Sequence, residues 1–274
     1  MNDSRIPQNS ADFANVFSMA QSAAATVEGY LTVKERALLT LFASYPTAPG
    51  AVLEIGAFKG LSTVLLASAL RSTKDPVLHS CDPWAAPGVA NQDLRTDEST
   101  YQSFLANLKK AGVSSQVRVH RSFSHALAKI WRESLRFLWI DGDHSAAGTE
   151  QDYDDFAEYV VPRGIVAFHD VLHLPPGPSM TFATRVLASE KWAACGFAGS
   201  IGWAQRAESR ENALSYREQK RCWLHHLISM SEGSMLDGKT RGWSKIRNLW
   251  HRRWIPHGMP DFERIVAAIG ASCG

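Results

Sequence analysis

Four apolar runs in this chain end in carboxylates, at Glu54, Asp82, Asp141 and Asp170, and two of them carry histidines nearby, His144 and His169. Side chains of these types can act together in two ways. Carboxylates hold a cation, metallic or organic, and an imidazole among them takes a proton from a hydroxyl near neutral pH. The first run is the most specific: Val52-Leu53-Glu54-Ile55-Gly56-Ala57-Phe58-Lys59-Gly60-Leu61-Ser62. A dinucleotide turn spaces its glycines G-x-G-x-x-G so that backbone N–H groups approach a pyrophosphate. Here the order is Glu-x-Gly-x-x-x-Gly. The carboxylate of Glu54 repels a phosphate and favours a ligand that carries an ammonium group.

The second run ends Cys81-Asp82-Pro83-Trp84. Pro83 biases Asp82 toward an extended backbone, where its carboxylate can accept from both hydroxyls of a ribose. The plain alternative is an acid at a turn. S-adenosylmethionine (SAM) has an ammonium, a sulfonium and a ribose but no phosphate, so it suits Glu54 and Asp82 together. The third and fourth runs, Ile140-Asp141-Gly142-Asp143-His144 and Phe168-His169-Asp170, can supply Asp141, His169 and Asp170 to one divalent cation. Carboxylates and water favour Mg²⁺, whereas a histidine ligand moves the preference toward Mn²⁺, Fe²⁺ or Zn²⁺. Alternatively these acids cap the helices that follow and bind no metal, and Asp143 suits the start of the next helix. His144, with Asp141 three residues before it, is the candidate general base.

These groups must be positioned by an alternation of strands and helices. Strands are expected at Ala51–Ile55, Val77–Cys81, Val117–His120, Phe137–Ile140 and Ile165–Phe168. Helices are expected at Leu61–Arg71, Thr100–Ala111, Ser124–Trp131 and Ala147–Val160. Short apolar strands separated by helices imply a parallel sheet covered on both faces. In such sheets ligands sit outside the carboxyl ends of the strands, which is where the four acids fall. A helix at Thr181–Ser189 and two strands, Trp192–Cys195 and Ile201–Gln205, joined by a turn over Gly196 to Ser200, suit a closing antiparallel hairpin. Ahead of the sheet, two helices are expected between Ala11 and Tyr45. Phe13, Val16, Phe17 and Met19 form the apolar side of one, and Thr32 caps the other. The organisation expected is an N-terminal helical segment (1–50), a sheet domain (51–207) and a basic, Trp-rich helical appendage (208–274).

At 274 residues with a formal charge of +2, the chain can bury a large core and has no strong electrostatic bias toward nucleic acid. Its four cysteines form no C-x-x-C pair, which suits reduced thiols. Met1-Asn2-Asp3-Ser4-Arg5 lacks the layout of a signal peptide, so a cytoplasmic location is expected. In the tail, Lys239, Arg241, Lys245, Arg247, Arg252 and Arg253 are interleaved with Trp243, Trp250 and Trp254. This pattern suits an anionic substrate, a membrane surface or self-association, so a homo-oligomer is expected.

From Ala51 to Gln205 the chain resembles a class I SAM-dependent methyltransferase. The carriers are Glu54 to Ser62, Asp82, and the pair Ile140-Asp141-Gly142-Asp143-His144 and Phe168-His169-Asp170. The last pair is similar to methyltransferase domain family 24, related to macrocin-type O-methyltransferases and cephalosporin-biosynthesis methyltransferase proteins. The resemblance implies a Rossmann-like α/β fold with a mostly parallel seven-stranded sheet, a closing antiparallel hairpin and helices on both faces. It implies that Glu54, Gly56 and Gly60, with Phe58 and Ser62, hold the methionine end of SAM, and that Asp82 binds ribose. Ser122 or Phe123 would lie near adenine, Asp141 would border the cofactor, and Asp82–Thr100, with Trp84 and Pro87, would form a lid. In metal-using relatives a cation is held at positions matching Asp141, His169 and Asp170; this sequence departs by offering His169 where a carboxylate is usual. The implied activity is O-methylation of a hydroxyl on a small molecule or glycan, with Asp141 and His144 catalytic. Competing classes are a non-catalytic SAM- or metal-binding protein, an NAD(P)-dependent oxidoreductase and an RNA methyltransferase. Glu54 and the missing third glycine count against the oxidoreductase, and no nucleic-acid module accompanies the basic tail.

Overall fold

The computed structural model describes residues 6–73, 77–85, 97–173, 177–235 and 249–270. Seven strands form one sheet: β1 (Ala51–Ile55), β2 (Leu78–Cys81), β3 (Val117–His120), β4 (Leu135–Ile140), β5 (Val160–Phe168), β6 (Trp192–Ala198) and β7 (Ile201–Arg206). Their order is β3-β2-β1-β4-β5-β7-β6. The first five run parallel and β7 joins β5 and β6 antiparallel. All five residues of β1 and all six of β4 are buried, as expected of central strands covered on both faces. The strand order reverses between β1 and β4, which opens a crevice at their carboxyl ends.

Helices α1 (Ser10–Ala23), α2 (Val33–Ser44) and α3 (Leu61–Leu70) cover one face. The C-terminal helix Phe262–Gly270 joins that same core through Phe262 and Ile269, with Phe262 stacked on Phe13. The other face is covered by α5 (Ser124–Ile130), α6 (Ala146–Phe156), α7 (Gly177–Thr181) and α9 (Arg217–Met235), with Trp223, Leu227 and Ile255 in the core beneath. Helix α4 (Glu98–Lys110) follows β2, and α8 (Arg210–Ser215) follows β7. Residues from both chain ends thus share the core of the sheet domain.

Helix α2 is buried on every side from Ala37 to Ser44. It begins at a capping box in which the Thr32 N–H donates to Glu35 Oε2 at 2.6 Å. It ends where the buried Arg136 guanidinium of β4 donates to the carbonyls of Phe42 and Ala43, satisfying terminal acceptors that water cannot reach.

Several local expectations need correction. Met19 is 69% exposed, because the face of α1 that meets the core is set by Phe13 and Ala20. Strand β6 runs on to Ala198, so the hairpin turn is only Gly199-Ser200; Gly199 supplies the left-handed φ of 60° that a two-residue turn needs. Helix α7 is one short turn followed by a π-helical stretch, Phe182–Leu187, rather than a regular helix. Asp143 does not cap α6. Ser145 does, and Asp143 orients it by accepting from the Ser145 N–H and hydroxyl. Pro87 and most of the proposed lid lie outside the described residues.

Candidate active site

The crevice is built on the turn from Gly56 to Gly60. The Gly56 N–H donates to the Cys81 carbonyl on β2, and the Asp141 N–H donates to the Ile55 carbonyl on β1. Strands β1, β2 and β4 are therefore locked together at their carboxyl ends. Gly56 has φ 86°, and a Cβ there would lie 2.0 Å from the Asp141 carbonyl oxygen. No other residue type fits where the two halves of the sheet meet.

Asp82 holds this turn. Its Oδ2 accepts from the N–H groups of Ala57 and Phe58, both at 3.0 Å, and its Oδ1 from the Trp84 N–H at 2.8 Å. Phe58 and Trp84 have φ of 49° and 44°, conformations that cost non-glycine residues about 1 kcal/mol each. The same carboxylate thus fastens both strained residues. Burial raises the Asp82 pKa, against the three N–H donors that lower it. The Trp84 indole donates to the Phe58 carbonyl at 2.8 Å, and its ring packs on Tyr101 and Phe104. Trp84 is a buried brace of the turn.

Glu54 lies beneath, fully buried. Its Oε2 accepts from Thr63 Oγ1 at 2.5 Å and Ser80 Oγ at 2.7 Å, while Oε1 has no partner. Burial pushes its pKa up to about 7, against the hydroxyls of Ser62, Thr63 and Ser80. An orphaned acceptor of this kind awaits a donor.

The other side of the crevice carries the histidines. His169 Nδ1 lies 3.0 Å from Asp141 Oδ1 and its Nε2 lies 3.8 Å from Glu35 Oε2. His144 bridges two strand ends, with Nε2 3.4 Å from Asp141 Oδ1 and Nδ1 3.6 Å from Asp170 Oδ2. Asp170 Oδ1 meets His173 Nδ1 at 2.9 Å and accepts from Ser200 Oγ at 3.1 Å. Burial opposes charge on both imidazoles, but the surrounding carboxylates outweigh it. Asp141, with Glu35 and Asp170, raises His169 well above its ordinary value. Asp141 and Asp170 raise His144 as well. Burial would likewise raise the acids, yet the histidines lower Asp141 and take Asp170 down to about 2.

Asp141, His144 and His169 offer ligand atoms within 4.8 Å of one another. One carboxylate and two imidazoles suit Mn²⁺, Fe²⁺ or Zn²⁺ better than Mg²⁺. Asp170, expected among the metal ligands, lies outside this trio; its Oδ1 meets His173 and Ser200, and its Oδ2 lies 3.6 Å from His144 Nδ1. Ser122 and Phe123 follow β3: the Ser122 carbonyl accepts from Cys81 Sγ, and Phe123 stacks on His125. Ser62 is buried in the first turn of α3 beside Glu54, and Gly60 caps that helix with φ 89°.

Glu35 was missed as a site residue, together with Ser200 and His173. The Ser200 N–H and hydroxyl both donate to Glu35 Oε1, at 2.6 and 2.7 Å. Thr32-x-x-Glu35 is visible in the sequence only as a helix start, and nothing local reveals that its second oxygen reaches the hairpin turn. The spacing His169-Asp170-x-x-His173 was a signal for His173.

Residues 53–171 match the family model described as Methyltransferase domain, of methyltransferase family 24. The fold is similar to that of the O-methyltransferase NovP, at 14% identity and a TM-score of 0.58 over 71% of this chain and 99% of that one. It is also similar to the O-methyltransferase TomG from Streptomyces achromogenes, involved in tomaymycin synthesis and solved with SAM. That likeness is 16% identity and a TM-score of 0.51 over 74% of this chain and 92% of that one. Sheet order, crevice and matched stretch define a class I methyltransferase. That matched stretch is a methyltransferase domain, and the protein is a SAM-dependent methyltransferase.

Proposed function

We propose that the protein methylates a hydroxyl oxygen on a small molecule or sugar residue. The observation that carries this reading is His144, set between Asp141 and Asp170 beside the glycine turn. SAM, when bound, supplies a methyl group on a sulfonium, and transfer leaves S-adenosylhomocysteine. Gly56 and Gly60 let the backbone approach the methionine end, and Glu54 Oε1 receives its ammonium. Asp82 fixes the turn and offers its one remaining lone pair, on Oδ1, to a ribose hydroxyl. His144 takes the acceptor's proton as its oxygen meets the methyl carbon in line. Asp141 and Asp170 stabilise the imidazolium that results. Were Asp141, His144 and His169 instead to hold a divalent cation, the cation would supply Lewis-acid activation of that hydroxyl in place of His144 as base.

That NovP and TomG are O-methyltransferases supports an oxygen acceptor. The test is methyl transfer from labelled SAM to a panel of phenols, alcohols and glycosides, with and without EDTA and added Mn²⁺. Product formation confined to hydroxyl-bearing acceptors is expected. Transfer to amines or thiols alone would contradict the reading.

A further inference from the structure

We propose that the face formed by Leu249, Trp250, Trp254 and Met259 docks this protein on an anionic lipid membrane surface. Among the described residues nine large apolar side chains are exposed. Five are scattered, and these four, 52% to 65% exposed, fall within residues 249–259. Such a concentration of outward apolar area marks an interaction site. Trp250 and Trp254 are four residues apart with ring centroids 6.0 Å apart, and tryptophan is the side chain that settles at the membrane–water interface.

The platform is anchored. His251 Nδ1 meets His226 Nδ1 of α9 at 3.0 Å, and the Trp254 ring lies parallel to His226, centroids 6.1 Å apart. Ile255 is buried in the core. Between these inward residues the apolar group points out.

Charge chooses the occupant. Arg252 and Arg253 lie between Trp250 and Trp254 in sequence, and Arg221 lines the α9 surface with Glu218, Cys222, His225 and His226. The whole sequence from Gly238 to Pro260 contains no acid. A second copy docking face to face would bring these arginines against their equivalents. Anionic headgroups neutralise them while the tryptophans and Leu249 enter the interface.

The platform also neighbours the crevice. The His257 carbonyl accepts from the Gly199 N–H and from Lys34 Nζ, both at 3.3 Å. Gly199 adjoins Ser200, whose hydroxyl donates to Glu35 and Asp170. A docked protein therefore presents its site near the headgroup plane. Resting on the O-methyl reading, this points to an amphiphilic acceptor whose hydroxyl lies at the lipid surface.

The test is co-sedimentation of the full chain with vesicles of phosphatidylcholine and phosphatidylglycerol in equal parts, alongside vesicles of phosphatidylcholine alone. Binding to the mixed vesicles with a blue shift of tryptophan emission is expected, weakening as salt is raised. Arg252→Gln and Arg253→Gln should each weaken binding about fivefold, and Trp250→Ala with Trp254→Ala at least about tenfold, while SAM affinity stays unchanged as a check on folding. Wild-type protein left in the supernatant would overturn the proposal. So would binding indifferent to these substitutions, or a dimer in solution that the tryptophan variant dissociates. Vesicle binding does not require turnover, so a failed methylation assay leaves it standing, and failed docking leaves the O-methyl reading standing.

Discussion

The two halves of the crevice hold their acids in opposite ways. On the β1–β2 side, Glu54 and Asp82 are buried among hydroxyls and backbone N–H groups, and burial raises both pKa values. On the β4–β5 side, Asp141 and Asp170 are only partly buried and face histidines, and both are lowered. One half holds carboxyls with no cation beside them, their charge opposed by burial; the other is neutralised from within. A buried carboxylate lacking its cation is costly, and on the proposed reading the first half receives a cationic methyl donor while the second exchanges a proton.

The comparison breaks most severely where the halves meet. Gly56→Ala puts a Cβ 2.0 Å from the Asp141 carbonyl, and should cost at least about 4 kcal/mol of stability. Thermal unfolding close to wild type would show that the junction is looser than described. His144→Ala should lower kcat by about 10²- to 10⁴-fold with SAM affinity within about twofold of wild type. A large loss of SAM binding would place His144 in the wrong half. Glu54→Gln should do the reverse, weakening SAM by about tenfold or more while leaving the proton-transfer half intact.

Smaller effects sharpen the contrast through pH. Asp170 is depressed from 3.8 to about 2. Its contribution, on the order of 2 kcal/mol, is present above pH 3.8 and lost as pH falls toward 2. Asp170→Asn should flatten unfolding free energy across that window. His144 must be neutral to act as a base, and its pKa is raised above 6.5. The rising limb of kcat/KM should therefore inflect above pH 6.5; an inflection below it would mean that Asp141 and Asp170 do not face the imidazole as described.

Much of this arrangement was legible in the sequence. Central strands buried on both faces read as uninterrupted apolar runs, and their ends were marked by Glu54, Asp82, Asp141 and Asp170. The Glu-x-Gly-x-x-x-Gly spacing identified the turn because the close approach at Gly56 admits no side chain. Glu35 was illegible as a site residue, since its partner Ser200 is 165 residues away and the contact exists only after the sheet closes. Met19 failed because apolar periodicity does not say which stripe of a helix meets the core. Ser145 caps α6 where Asp143 was expected, because either residue type can cap a helix and only the backbone geometry decides.

The central claim is that a cation enters beside Glu54, and proton linkage tests it directly. Near neutral pH Glu54 is partly protonated, with its pKa at about 7, and an ammonium placed against Oε1 stabilises the carboxylate and expels the proton. Calorimetric titration of SAM at pH 7, repeated in buffers of different ionisation enthalpy, should show proton release by the wild-type protein that Glu54→Gln lacks. Equal proton release in both proteins, or heats independent of buffer, would contradict the account.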